Sequence, residues 1–508
     1  MAKAILFDTR SIQKYIFSGN KLKTNIGASY IVEHLFSTCL LDILKELFPM
    51  NSDLESWKHE DAHVDFSQLQ EDCCIAYIGG GNALVLFRED IADEVLQDIV
   101  TQFTKQVLIA YPGLKTGAAI GVLDVSSEEG YRSSDKKLHI QLKHYQNTIY
   151  PQVSIPYTGL TRMCDVCGET ADYLDIYHKI TSSPEIRYYS HEILSKAEMA
   201  QTANQALQQE FQDVIFEYRF PIELEKLGQK ESENYIAIIH IDGNNMGSRF
   251  MKCKTLEERV RLSKEVKAKT KRAFTQLLAG IVAEYDTYKS YLQLEEKTLP
   301  IRPLILGGDD VTFVCAGRTA LTYAKRCIEY MQKEGIESCG GIALLPTSYP
   351  FFRGYELAEQ LCSAAKSKSR EKNDSWLDFA ILHGEQAPTL EQIRQQEYRG
   401  AQGNMHFGPY TVGNEQHVKS VDKLIQCVRA FASKSKTGLA ENKIKELRWA
   451  LQHDVHDCQQ YIEQMKHTEK DLPDISGWDA YRKSLWNGKE TPYIDAIEMM
   501  DFMPKENK

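Results

Sequence analysis

Apolar residues in this chain fall into short runs that end on polar turns, and the runs recur. Ala4-Ile5-Leu6-Phe7 closes on Asp8, and Ile238-Ile239-His240-Ile241 closes on Asp242. A compact, mostly apolar run of this length reads as a strand buried on both faces. After each strand the hydrophobic period lengthens to that of an amphipathic helix, over 31–48 and over 256–285. Two short apolar runs around glycines come next. The first spans 75–87 around Gly79-Gly80-Gly81-Asn82, and the second spans 303–314 around Gly307-Gly308-Asp309-Asp310. Each predicts a β-hairpin. A helix and a glycine-led strand follow both times, at 116–120 and 339–343. The order is β-α-β-β-α-β twice, the ferredoxin-like arrangement.

The repeat organises the chain into an α+β protein of two ferredoxin-like palm domains, a small cysteine-containing connector and a C-terminal helical domain. The first copy takes residues 1–155 and the connector 156–232, with the Cys164-Asp165-Val166-Cys167 knuckle. The second copy takes 233–385, and residues 386–508 carry helical patterns at 421–431 and 444–465. A chain of 508 residues is too long for one core, which agrees with several domains. Apolar residues at 43% and charged residues at 26% give a soluble balance. The expectation is a cytoplasmic protein: no apolar leader opens the chain, and no run approaches the roughly 18 apolar residues of a membrane span. The twelve scattered cysteines then read as reduced thiols. A net charge of −11 argues against bulk attraction of free nucleic acid and leaves open a local basic groove or RNA brought by a partner.

The chemistry gathers in the second copy. Phosphoryl transfer between nucleotides calls for two divalent ions clamping the attacking and leaving oxygens. Magnesium takes carboxylate and carbonyl oxygens and keeps several waters. An acid ending the first strand lies beside the following hairpin in this fold, so Asp242, Asp309 and Asp310, with the Gly243 carbonyl, form the candidate metal set for Mg2+ or Mn2+. Gly307 and Gly308 allow a tight turn and close approach of a triphosphate. Lys366, on a later amphipathic helix, is the candidate cation for phosphate charge. A Gly-Gly-Asp-Asp turn by itself is more often a solvated hairpin, and a lone lysine more often a solvated helix face. The repeated element order around an acid-terminated strand is what favours the metal reading. The first copy keeps Asp8 but has Gly81 and Asn82 in place of the two hairpin acids, so it reads as a silent partner. Two such palms face to face would set a second nucleotide opposite the active one.

These motifs resemble the palm-containing large subunit of type III CRISPR effector complexes, related to GGDEF and class III nucleotidyl cyclases. The resemblance covers roughly residues 3–385. The family's Asp-Gly-Asp-x-Met-Gly motif stands here as Asp242-Gly243-Asn244-Asn245-Met246-Gly247, and its Gly-Gly-Asp-Asp hairpin as Gly307 to Asp310. Its N-terminal palm signature is similar to Ser11-Ile12-Gln13-Lys14-Tyr15-Ile16 followed by Gly27-Ala28-Ser29-Tyr30. The resemblance implies conversion of ATP into a cyclic oligoadenylate or related cyclic nucleotide messenger in antiviral defence. It also implies nucleotide contacts at Asn244, Asn245, Gly307 and Gly308, and in the first copy at Gly80, Gly81, Asn82 and Ser29.

The chain departs from the family pattern in three places. Asn244 stands where the family has a second aspartate. With the palm opening at residue 3, the expectation is a short, Cmr-type-like form without the family's histidine–aspartate nuclease domain, and His453-Asp454 and His456-Asp457 read as surface residues within a helical stretch. Cys164 and Cys167 supply only two of the four ligands of a Zn2+ site. His178 and His191 are candidate completions, and a zinc-free structural knuckle is the plainer reading. Expected partners are ATP, a small CRISPR-type partner subunit and RNA presented through it, with a homo-oligomer left open and no membrane. The rival class is a non-catalytic scaffold or a nucleotide or RNA sensor. A diguanylate cyclase is disfavoured because the hairpin continues Asp-Asp-Val.

Overall fold

The computed structural model describes residues 1–52, 54–58, 66, 69–147, 156–176, 185–228, 234–370, 373–384, 388–400, 402–432 and 439–503. Two compact units divide the chain. The first comprises Met1–Gln212, Asn245–Thr270 and Leu304–Asp309, and the second Asp213–Asn244, Lys271–Pro303 and Asp310–Lys508.

The first unit is built on a four-stranded antiparallel sheet of β1 (Ala2–Arg10), β2 (Cys73–Gly79), β3 (Asn82–Phe87) and β4 (Lys115–Leu123), in the order β2-β3-β1-β4. That order is the ferredoxin-like one, with the first strand central. Successive side chains of a strand point to opposite faces, and both faces of β1 are buried. Ala4 and Leu6 join a core with Leu84, Leu86, Tyr131, Leu138 and Leu142. Phe7 faces the other way, with ring centroids 6.0 Å from Phe36 and 5.0 Å from Phe103. Helices on both sides therefore explain why β1 reads as a continuous apolar run. The helical pattern expected over 31–48 is interrupted. The helix Leu22–Leu35 passes through one π turn, Phe36–Leu40, into the helix Leu41–Leu47. By length and composition the stretch Leu22–Leu47 could cross a bilayer, but 61% of its most apolar window is buried within the protein. The connector contributes the short pair β5 (Tyr173–Asp175) and β6 (Arg187–Tyr189) and the helix His191–Glu210.

The second sheet has six strands: β7 (Tyr235–Gly243), β8 (Ile301–Gly307), β9 (Asp310–Ala316), β10 (Ser338–Pro346), β11 (Trp376–Ile381) and β12 (Tyr410–Thr411). Its order, β12-β11-β10-β7-β9-β8, contains the same ferredoxin-like core with two strands added beyond β10. β11 lies parallel to β10 after the helix Phe351–Ser369 crosses between them. That helix is pressed onto β10 at Gly341, where any side chain would meet the Ala358 carbonyl and the Cys362 amide. Close seating of this helix accounts for the glycine-led strand in the sequence and fixes where Lys366 projects. Near the C-terminus the helical stretch expected over 444–465 is two helices, Glu441–Gln452 and Val455–His467, and Asp454 caps the second. His453, Asp454 and His456 are exposed at that break. All twelve cysteines are free thiols.

Candidate active site in the second palm

The site is organised by the register of β7. β7 and β9 pair antiparallel, with Asp242 opposite Asp310 and His240 opposite Thr312. The helix Phe351–Ser369 packs on the β7 face formed by Ile238, His240 and Asp242. A side chain at Gly354 would touch Ile238, Tyr355 packs edge-on against His240 at 5.6 Å, and Lys366 reaches Asp242.

Lys366 Nζ donates to Asp242 Oδ2 at 2.5 Å and to the Gly243 carbonyl at 3.1 Å. An ammonium thus sits against two of the oxygens expected to hold a metal. Both charged side chains are about one-third exposed, 30% for Lys366 and 36% for Asp242, so a ligand can reach them. Asp310 begins β9, and its Oδ1 lies 3.3 Å from His240 Nδ1. Thr312 Oγ1 stands 3.1 Å from the same nitrogen and 3.4 Å from Asp310 Oδ1. Burial opposes charge on His240, yet the hydrogen bond and charge of Asp310, with Asp242 and Glu359 beyond, raise its pKa above the ordinary imidazole value.

Asn244 is turned inward. Its amide donates to Ser369 Oγ at 2.9 Å and to the Asp374 carbonyl at 3.1 Å, and its backbone N–H donates to the Glu337 carbonyl at 2.8 Å. At 9% exposure the side chain ties the end of β7 to the end of the lysine-bearing helix. In the first unit, Asn245 is exposed in a left-handed conformation at φ 59° and precedes the helix Met246–Lys252. The turn Gly307-Gly308-Asp309 joins β8 to β9. Gly308 has φ 60°, and a side chain there would meet no atom within 4 Å, so the turn is open on that side.

The first palm shows the same register with different chemistry. Asp8 lies opposite Asn82, as Asp242 lies opposite Asp310. Asp8 accepts a hydrogen bond from the neutral Gln146 amide, and burial raises its pKa above the ordinary carboxylate value. Gly80 is open, whereas a side chain at Gly81, with φ 93°, would strike Ile12. The Ser29 hydroxyl donates to the Leu304 carbonyl.

In the connector, Cys164 is buried and Cys167 half-buried, with Cys167 Sγ 3.5 Å from Ser190 Oγ. The hydrogen bond from Cys167 holds the Cys164 thiol down to about 6, and the Cys167 thiol is correspondingly raised. His191 Nδ1 is 3.0 Å from Asp172, and His178 lies outside the described residues.

Among the described residues no group of three or more His, Cys, Asp or Glu side chains stands in ready ligand geometry. Magnesium does not need one. It is commonly held by one or two carboxylates plus substrate phosphates and water. Asp242, Asp310 and the Gly243 carbonyl are hard oxygen donors of that kind, and an ammonium already sits against two of them, so the donor set fits a divalent ion completed by nucleotide. His240, Thr312 and Tyr355 were not singled out from the sequence. The signal for His240 was present, because it stands two residues before Asp242 and period 2 places both on one face.

Residues 235–375 match the Cas10/Cmr2 second palm domain family. No curated protein matches the sequence. Among solved structures, a Csm1–Csm4 cassette in complex with pppApApA is similar at 12% identity and a TM-score of 0.56, covering 99% of this chain and 69% of the other. A Csm1–Csm4 cassette in complex with cA4 matches at 11% identity and a TM-score of 0.55, with the same coverage of 99% and 69%. Csm1 from T. onnurineus matches at 12% identity and a TM-score of 0.52, again with 99% and 69% covered. The chain is therefore Cas10-like, with a second palm domain of the Cas10/Cmr2 type set in a fold shared with Csm1.

Proposed function

We propose that the second palm is a metal-dependent nucleotidyltransferase that converts ATP into a cyclic oligoadenylate or another cyclic nucleotide messenger in CRISPR-type antiviral defence. The observation that carries this reading is the in-register pair Asp242 and Asp310, with the Lys366 ammonium against the Asp242 carboxylate and the Gly243 carbonyl. The related cassettes bound to pppApApA and cA4 support the substrate class. Mg2+ or Mn2+, held by Asp242, the Gly243 carbonyl, Asp309 and Asp310, would neutralise phosphate charge and favour ionisation of the attacking hydroxyl. In the transfer, a ribose hydroxyl oxygen bonds to the α-phosphorus, the bond to the bridging α–β oxygen breaks, pyrophosphate leaves, and the hydroxyl proton passes to solvent. Lys366 then has a second task, moving from Asp242 to the charge developing on the phosphates. By the same reading, the nucleotide-facing glycines are Gly307 and Gly308. A small partner subunit bringing RNA is the expected assembly.

A sensor or scaffold without turnover is the second reading, and the inward amide of Asn244 favours it, because the family's additional acid is absent from the site. Incubation with each nucleoside triphosphate and Mg2+ or Mn2+, with products read by mass spectrometry, separates the two. The Asp309→Ala plus Asp310→Ala protein is expected to lose turnover on the order of a hundredfold or more, with its fold retained. Product formation that survives the double substitution, or its absence from the wild type with every triphosphate, would overturn the catalytic reading.

A further inference from the structure

We propose that His240 is a positioning residue for Asp310, fixing the rotamer in which that carboxylate meets the metal–nucleotide complex. The inference rests on the metal reading of the second palm and adds a residue to it. His240 is 6% exposed, in the middle of β7, where the neighbouring positions Ile238, Ile239 and Ile241 are buried and aliphatic. A polar ring in such a strand needs a partner, and it finds two on β9. Its Nδ1 lies 3.3 Å from Asp310 Oδ1 and 3.1 Å from Thr312 Oγ1. Thr312 Oγ1 approaches the same Oδ1 at 3.4 Å. Both contacts fall on one oxygen of Asp310, so the carboxylate is anchored from the protein side and free to present its other oxygen.

The ring is itself held. Tyr355 meets it edge-on, with centroids 5.6 Å apart and planes at 73°. Tyr355 belongs to the helix that also carries Lys366. One helix therefore braces both halves of the site, Asp242 directly through Lys366 and Asp310 at one remove through His240. A carboxylate at the start of a strand next to a glycine turn would otherwise sample several rotamers, and each costs metal affinity. Hydrogen-bond partners of ligating carboxylates typically contribute about 10- to 100-fold in metal affinity or activity.

The test uses two substitutions of similar bulk. His240→Asn keeps an N–H close to the position of Nδ1, and His240→Leu removes it. The readout is equilibrium binding of a non-hydrolysable ATP analogue across a Mn2+ series, with the half-saturating Mn2+ concentration compared and melting temperatures recorded. We expect His240→Leu to raise that concentration by about 10- to 100-fold and His240→Asn to stay within about threefold. Equal shifts in both variants, or no shift in His240→Leu, would overturn the positioning role while leaving the metal site standing. Wild-type protein whose nucleotide binding ignores Mn2+ would overturn the metal reading and this role with it. Should His240→Leu not fold, Thr312→Val carries the test. It removes the second donor on Oδ1 and must shift the Mn2+ requirement in the same direction, and an unchanged requirement would refute the role.

Discussion

Replacing Lys366 by glutamine separates two effects that the site combines. In the structure its ammonium is bonded to Asp242 Oδ2 at 2.5 Å and to the Gly243 carbonyl at 3.1 Å. A metal ion approaching those oxygens must displace it. The pair is about one-third exposed, so solvent screening keeps its strength near that of surface pairs, about 1 kcal/mol. Removing the competitor should therefore tighten Mn2+ binding in the absence of nucleotide by about fivefold. Turnover should move the other way. Without the ammonium, charge developing on the phosphates loses a preorganised partner, which costs on the order of a hundredfold or more. Titration calorimetry with Mn2+ alone reads the first effect, and single-turnover product formation at saturating metal reads the second. A Lys366→Gln protein in which metal affinity and turnover fall together would refute the reasoning, because it would make Lys366 a support of the metal site rather than its competitor. Turnover within about threefold of wild type would refute it from the other side.

Two further outcomes follow from buried groups in the same unit. Asn244→Asp restores the family's acid but sets a carboxylate against the Asp374 carbonyl, where the amide now donates at 3.1 Å. It should cost about 1–3 kcal/mol in urea unfolding and leave turnover no higher than wild type; a faster enzyme of unchanged stability would contradict the inward placement. His406 is clamped between Asp378 at 2.7 Å and Asp495 at 3.0 Å. Burial and the Arg394 charge oppose its protonation, but the two carboxylates raise its pKa overall, while Asp378, though buried, is lowered by Arg394 and His406. A raised imidazole gives stability that is complete below about pH 6.5 and fades as pH climbs through the folded value. A lowered carboxylate gives stability complete above about pH 4 that is lost as pH falls through its folded value. The urea midpoint should thus decline on the alkaline side, and His406→Leu, which leaves buried Asp495 without its cation and Asp378 with Arg394 alone, should cost about 3–5 kcal/mol. A midpoint flat from pH 6 to 9, with wild type and variant alike, would show that the triad carries no linked proton.

The parts of the fold that were legible in the sequence are those set by local pattern. β1 and β7 declared themselves because both faces are buried, and the hairpins because their turns need glycine. What stayed hidden depends on neighbours distant in the chain. β11 joins β10 only because the helix Phe351–Ser369 crosses over, and the register Cys339 to Trp376 cannot be read from either segment alone. The same holds within the site. Asp242 and Asp310 were found from strand ends and turn acids, but the inward direction of Asn244 is set by Ser369 and Asp374, more than a hundred residues away. The π turn at Phe36–Leu40 has no counterpart in the helical period that covers it.

The two palms also show why duplication alone does not duplicate chemistry. Both place an acid at the end of the central strand, opposite the first residue of the hairpin's second strand. In the second palm that opposite residue is Asp310, and the acid's partner is a lysine. Two carboxylates and one ammonium leave a net negative charge among hard oxygens, the condition that draws a divalent cation. In the first palm the opposite residue is Asn82 and the acid's partner is Gln146. That leaves a single carboxylate facing neutral amides, in a setting whose burial raises its pKa above the ordinary carboxylate value. The two sites differ less in net charge than in donors: the first palm has one carboxylate where the second sets two in register, so it offers a divalent ion fewer hard oxygens. Neutral hydrogen-bonding groups around an acid are suited to pairing with the polar edge of a base or ribose rather than to neutralising phosphate charge.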